Sequence, residues 1–418
     1  MVFKKQLKKI DSQFIRNLGW LGGSGAVIRV SRLVATVILA RFLTDYDYGL
    51  AAIVLTINEF VRVFSRNGIG TRLIQTDRDN LKELTQSAYC LNWLIFIGLF
   101  IVQIIAGFVA AGIYQDDRLI LPICLMAISL LIIPHGMVQV ALIQRENRFK
   151  VIALTEMIQI STDNILSLIL AIAGLGMWAI VLPKIFVAPL WVYIILKNHS
   201  WRPQRYFTTK GWGELLSFGR NVLGVELLNT LRSNLDYLIV GRFLSIEALG
   251  MYYFAFNAGL GISLGVINSI KSALLPHLCD ARSNLEQFQK RYYSSLKTIA
   301  LIIIPLVLLQ SSLASFYVPL IFGEKWIPAI PILILICLSA IPRPFADSAS
   351  QLLISVNRPQ IDLIWNILFT ILFTLALSIG VNWQSNGVAA AVLIIHLIAL
   401  PIFTIRASQY VFKRVLSL

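Results

Sequence analysis

The stretch ELLNTLRSNLDYLIVGRFLSIEALGMYYFAFN, residues 226–257, decides how the rest of the chain reads. It is apolar enough to enter a bilayer, yet it carries Glu226, Asn229, Arg232 and Asp236 at steps of three, three and four. That spacing sets all four on one side of a helix. A charged side chain at mid-bilayer costs roughly 2.5–3.5 kcal/mol on insertion scales, so such a stripe predicts a wet cavity or a partner beside it. The end of the stretch has a twin. GRFLSIEALGM (241–251) matches ARFLTDYDYGL (40–50) at a constant offset of 201 residues, pairing Arg242 with Arg41, Phe243 with Phe42, Leu244 with Leu43, Ser245 with Thr44 and Gly250 with Gly49. The helix before the first copy also carries charge, at Arg29 and Arg32. Two similar halves, each opened by a helix bearing intramembrane charge, follow from this repeat.

Composition sets the class. Of 418 residues, 57% are hydrophobic and 14% charged, against roughly 25% charged in soluble domains. The mean hydropathy is +0.76. The apolar runs are long and continuous rather than alternating, so the expected fold is an all-α polytopic membrane protein, not a barrel. About twelve spans are predicted, near 18–40, 49–66, 88–112, 119–143, 151–173, 176–196, 215–240, 249–271, 294–318, 328–354, 360–381 and 386–408. They divide into an N-terminal six-helix bundle (1–198), a basic linker (199–213) and a C-terminal six-helix bundle (214–418).

With the N-terminus placed inside, the inside segments hold 25 Lys and Arg residues and the outside loops four, namely Arg41, Arg118, Arg242 and Lys325. Cytoplasmic loops are the basic ones, so both termini are expected in the cytoplasm. The same rule accounts for the net charge of +15 without nucleic acid as a partner. No enzyme constellation, Walker loop or zinc signature is present, and Cys90, Cys124, Cys279 and Cys337 have neither metal-like nor disulfide-like spacing. No catalytic residue, metal or cofactor is expected.

Seven basic residues fall within or at the edges of spans: Arg29, Arg32, Arg62, Lys184, Arg220, Arg232 and Arg343. Acidic residues there include Glu59, Glu156, Asp163, Glu226, Asp236, Asp347 and Asp362. They group on helix faces: Arg29 and Arg32 in the first span; Glu59, Arg62 and Arg66 in the second; Glu156, Gln159 and Asp163 in the fifth. Two readings stand side by side: a hydrophilic pathway for an anionic cargo, or pairs such as Arg32 with Asp236 that lock helices together. The candidate cavity set is Arg29, Arg32, Arg62, Arg66, Arg232, Asn229 and Asn257. Glu59, Asp163, Glu226 and Asp236 are candidates for coupling transport to protons or sodium.

The segments LARFLTDYDYG (39–49), GIGTRLIQ (68–75), ALIQRENRFK (141–150), RSNLDYLIVGRFLSIEALGMYYFAF (232–256) and LIFGEKWIPAIPIL (320–333) resemble the Wzx-type polysaccharide and O-antigen flippases. These belong to the superfamily that includes the MATE multidrug antiporters, and the colanic-acid or lipopolysaccharide exporter branch is the most similar. The resemblance implies two pseudo-symmetric six-helix bundles and alternating access. The implied cargo is an undecaprenyl-pyrophosphate-linked oligosaccharide flipped across the bacterial inner membrane. It also implies polysaccharide polymerase or chain-length machinery as candidate partners, and a basic residue in the first helix that Arg29 matches. The rival expectation is a MATE-like cation-coupled antiporter of small molecules.

Overall fold

The computed structural model describes residues 2–65, 68–76, 78–279, 284–356 and 358–415. Among them there is no strand. The helices are α1 (Val2–Phe42), α2 (Asp45–Val63), α3 (Ile69–Gln75), α4 (Arg78–Tyr114), α5 (Ile120–Ile132), α6 (Pro134–Arg145), α7 (Phe149–Ile172) and α8 (Trp178–Asn198). They continue with α9 (Trp212–Phe243), α10 (Ile246–Cys279), α11 (Leu285–Ser312), α12 (Ala314–Tyr317), α13 (Ile330–Leu338), α14 (Arg343–Ser355), α15 (Pro359–Gly380) and α16 (Gln384–Tyr410). Two passes are broken. The α5–α6 pair bends by 51° at Pro134, and α13 yields to α14 across Ser339–Pro342, ahead of Pro344. Proline lacks an N–H and its ring crowds the preceding turn, so these are the places where a long helix gives way.

With each broken pair taken as one pass, twelve helical passes result, as the apolar runs predict. Six stretches are long and apolar enough to cross a membrane by length and composition, or seven with the bent α5–α6 pair. The helices α2 and α7 are not among them, because Asp47, Glu59 and Arg62 interrupt the first and Glu156, Gln159, Asp163 and Asn164 the second. The residues that weaken the membrane signal are the ones that carry the candidate chemistry.

The chain divides into two compact units, Met1–Asn234 and Leu235–Leu418, and the division falls inside α9. In the first unit α7 packs between α1 and α8, and α2 touches α4, α5 and α8. Three turns meet at one end of this unit. The Tyr46 hydroxyl of α2 donates to Asp116 after α4, and Arg118 lies over the Tyr46 ring at 4.4 Å. Asp47 Oδ1 accepts from the Met177 N–H at the start of α8 at 3.1 Å. Gly176 makes that approach possible. Its φ is +54°, and a Cβ there would stand 2.5 Å from Asp47 Oδ1.

At the opposite end the linker is fastened down. Gln86 of α4 donates to the carbonyls of Gln204 (3.0 Å) and Tyr206 (2.8 Å) and accepts from the Gln204 N–H (2.9 Å). The Trp212 indole N–H donates to Ser87 O at 3.2 Å, and Arg72 Nε donates to Glu214 at 2.7 Å. Leu215 enters a core with Ile69, Leu73, Leu84, Leu91 and Leu142. The start of α9 is therefore built into the first unit. Arg145, from the ALIQRENRFK signature, donates to the carbonyls of Leu73 (2.9 Å) and Ile74 (3.0 Å) and so caps the end of α3.

In the second unit α10 packs on α11, α13 and α14, and α16 on α13, α14 and α15. Trp326, from the LIFGEKWIPAIPIL signature, is fully buried and stacks on Phe254 of α10 with ring centroids 3.9 Å apart. Those two signatures meet as packing partners. His396 is buried against the rings of Phe369 and Phe373, in stacked geometry.

Candidate functional site

The polar residues lie on α1, α2, α7 and α8 of the first unit and on α9, inside which the division between the units falls. In the first unit, α1 runs beside α7. The Asn164 amide donates to the Ser31 hydroxyl at 2.9 Å, and Lys150 sits over the Trp20 ring at 4.4 Å, so the two helices run parallel. Ser31 faces α7. Arg29 and Arg32 flank it in sequence and are exposed. At 1.5 Å rise per residue they stand about 15–20 Å from the α1–α2 turn, near the middle of a roughly 30 Å apolar layer. Among the described residues Arg32 forms no ion pair; Arg29 does not lack a partner.

The fifth predicted span is α7, and its Asp163 is held by Lys184 of α8, Nζ to Oδ2 3.0 Å. The sequence placed Lys184 within a span but gave no sign of this partner. Only the packing of α7 on α8 brings the pair together. On α2, Arg62 is exposed and Glu59 half-buried, both with interactions of their own. Buried Asn58, one residue before Glu59, donates to Gln103 of α4 at 3.3 Å, and Gln103 donates on to Ile123 O at 3.2 Å. This buried amide ladder ties α2 to α4 and α5 and was not anticipated, because asparagine and glutamine do not stand out among apolar residues as charges do. Arg66 lies outside the described residues, as does the side chain of Arg220.

The predicted stripe on α9 is present as a face. Arg232 Nη2 donates to Asn229 Oδ1 at 3.2 Å, one turn apart. Glu226, Asn229 and Arg232 are half-buried, and they too have interactions within the fold. Asp236, the last member, is 5% exposed and belongs to the second unit. Its Oδ2 accepts from the Tyr252 hydroxyl at 3.0 Å and its Oδ1 from the Tyr237 N–H at 3.0 Å. Arg343, at the start of α14, acts electrostatically on Asp236 and on both tyrosines. A carboxylate buried this deeply is stabilised by donors and a nearby cation rather than by water. Asn257 on α10 is exposed and donates to Tyr253 O at 2.8 Å. Among the described residues, no three His, Cys, Asp or Glu side chains gather to hold a metal ion.

Within the first unit α1, α2 and α9 carry cationic and amide groups on exposed or half-buried faces, an arrangement suited to holding a polar, anionic solute. Known proteins give the frame. The chain is 26% identical over 386 residues to the teichuronic acid biosynthesis protein TuaB of Bacillus subtilis, covering 91% of this chain and 79% of that protein. It is 26% identical over 391 residues to the lipopolysaccharide biosynthesis protein WzxC of Escherichia coli, covering 91% and 77%. Among solved structures it is similar to the lipid II flippase MurJ in its inward closed conformation (TM-score 0.79, 15% identity, 93% of this chain and 87% of that one). It is also similar to an inward-facing MATE multidrug resistance transporter (TM-score 0.68, 13% identity, 92% and 95%). The fold is therefore the MATE-like helical transporter fold, in a multi-pass membrane protein. The profile of the family described as "Polysaccharide biosynthesis protein" matches residues 38–331, and the chain belongs to that family.

Proposed function

We propose that this protein moves an undecaprenyl-pyrophosphate-linked oligosaccharide from the cytoplasmic to the outer leaflet of a bacterial inner membrane, by alternating access and without making or breaking a covalent bond. Both termini lie in the cytoplasm, in keeping with the basic inside segments. The N-terminal and C-terminal bundles are the two moving parts, with residues 199–213 carried by the first. The observation that supports this reading most is a chain of a polysaccharide-biosynthesis family whose α1 exposes Arg29 and Arg32 at mid-membrane depth. Guanidinium suits the task. It stays charged at every physiological pH, and its fork matches two oxygens of a phosphate. Arg62, Arg66 and Arg232, with Asn229 and Asn257, complete the polar path, while the polyprenyl tail remains in the lipid.

Coupling to an ion would run through Glu59, Asp163, Glu226 or Asp236. Of these, Asp163 is held through Oδ2 by Lys184, a cation that competes with a proton or a sodium ion for the carboxylate. Asp236 already accepts from two donors.

The test is surface glycan in a bacterial host deprived of its own exporter and supplied with this chain. The double variant Arg29→Ala, Arg32→Ala should abolish surface glycan at unchanged membrane abundance. Double substitution by lysine should restore part of it, since charge returns without the fork. Full glycan display by the alanine variant would overturn the assignment. A drug-resistance phenotype with no glycan effect would establish the small-molecule antiporter instead.

A further inference from the structure

Where the linker lies on α4, the first unit contains a groove of about 350 Å³. One wall is Trp93, Leu94 and Ile97 of α4; the other is Tyr206 and Phe207; Arg205 supplies the charged member of the lining. The second wall is fixed in place. Gln86 is 3% exposed and satisfies three backbone groups of residues 204–206, and Phe207 packs edge-on against Trp212 at 5.7 Å.

Three features of the groove identify its occupant. Leu94 and Ile97 open a stripe of exposed apolar side chains that continues down α4 through Ile101, Ile105 and Phe108. On a membrane-crossing helix that stripe faces hydrocarbon. The groove is thus the upper end of a lipid-facing surface, not a hole in the water-facing one. Trp93, Tyr206 and Phe207 stand at the end of the unit where the basic linker lies, and Trp and Tyr favour the level of the lipid headgroups. Arg205 is exposed beside the apolar cleft, where a phosphate attached to an acyl chain in the cleft would meet it.

We propose that this groove is a phospholipid site that takes one acyl chain of an anionic phospholipid, with the lipid phosphate against Arg205. The lipid completes the wall that the linker begins and excludes water from the exposed faces of Tyr206 and Phe207. This site is separate from the proposed cargo path on α1 and α9, and it stands whether or not the cargo assignment does.

The experiment uses the full chain, purified in mild detergent from membranes and examined by native mass spectrometry after exchange into phosphatidylglycerol or phosphatidylcholine. Phosphatidylglycerol should be retained in preference to phosphatidylcholine. Ile97→Trp fills the groove from an exposed position and should lower retention about tenfold, the effect of two methylenes withdrawn from apolar contact. Leu94→Trp, also exposed, should do the same, so one poorly folding variant does not remove the test. Arg205→Gln should keep the lipid but erase the preference for phosphatidylglycerol. Equal retention by wild type and both tryptophan variants, each eluting as folded protein, would sink the proposal. So would preferential retention of a polyprenyl phosphate over phosphatidylglycerol.

Discussion

The two copies of the repeat build the same turn from different chemistry. In the first, the Leu43 N–H donates to Leu39 O at 2.9 Å and Tyr48 N–H to Thr44 O at 3.1 Å; in the second, Leu244 donates to Val240 O at 2.9 Å and Leu249 to Ser245 O at 3.0 Å. The cap repeats as well. Thr44 Oγ1 accepts from Asp47 N–H at 3.1 Å, and Ser245 Oγ from Ala248 N–H at 3.1 Å. Every one of these atoms has its counterpart 201 residues on. The interiors diverge. Position 35 is a buried alanine and position 51 another; their counterparts are Asp236 and Tyr252, equally buried and hydrogen-bonded to each other. The charged positions also move: Arg32 corresponds to Ser233, and Ser31 to Arg232. A duplicated backbone turn constrains the polar cap and leaves the buried positions behind it free to be alanines in one half and an acid bonded to a phenol in the other.

The contrast is most sharply tested by moving chemistry from one half to the other. Ala35→Asp puts a carboxylate at a buried position, and Ala51, the counterpart of Tyr252, has no hydroxyl to donate to it. An uncompensated buried charge costs about 3–5 kcal/mol, so this variant should fail to accumulate in membranes. Adding Ala51→Tyr would sharpen the result if it restores part of the yield. Asp236→Ala leaves the Tyr252 hydroxyl buried without its acceptor, at a cost of about 1–3 kcal/mol, read as a lowered thermal midpoint in detergent. Tyr252→Phe should cost less than Asp236→Ala. An equal or larger loss would show that the hydroxyl does more than serve the carboxylate.

The caps give smaller effects. Asp47→Ala breaks a capping box and the bond to Met177, so about 1–2 kcal/mol should be lost. Ser245→Ala removes one cap bond and should cost about 0.5–1 kcal/mol. Ala248→Asp would copy the box into the second half and should gain a few tenths of a kcal/mol, seen as a slight rise in the same midpoint. If the two cap variants cost the same, the turns are more alike than their side chains suggest.

Much of the fold was legible before any coordinates. Long apolar runs can bury their backbone polar groups only as helices in lipid, whereas the 51° bend at Pro134 inside the predicted span 119–143 was not anticipated. The stripe on α9 was legible because residues three and four apart share a face, as the Asn229–Arg232 bond bears out. The Lys184–Asp163 pair and the Asn58–Gln103 ladder were not, because no spacing rule connects residues on different helices. Nor was the extension of the first unit into α9. It depends on Gln86, Ser87 and Leu84 meeting a linker more than a hundred residues away.

The amino-acid sequence by itself determined that this chain lives in a membrane, that its passes are helical, that it contains a repeated turn, and that it resembles the polysaccharide exporters. Local periodicity and transfer free energy act on neighbouring residues, so they can be read along a line. Which charges are held by partners and which are left exposed was decided only by tertiary structure. An ion pair depends on distances between helices that no local rule contains, and those distances separate Asp163, bound to Lys184, from Arg32, exposed on α1.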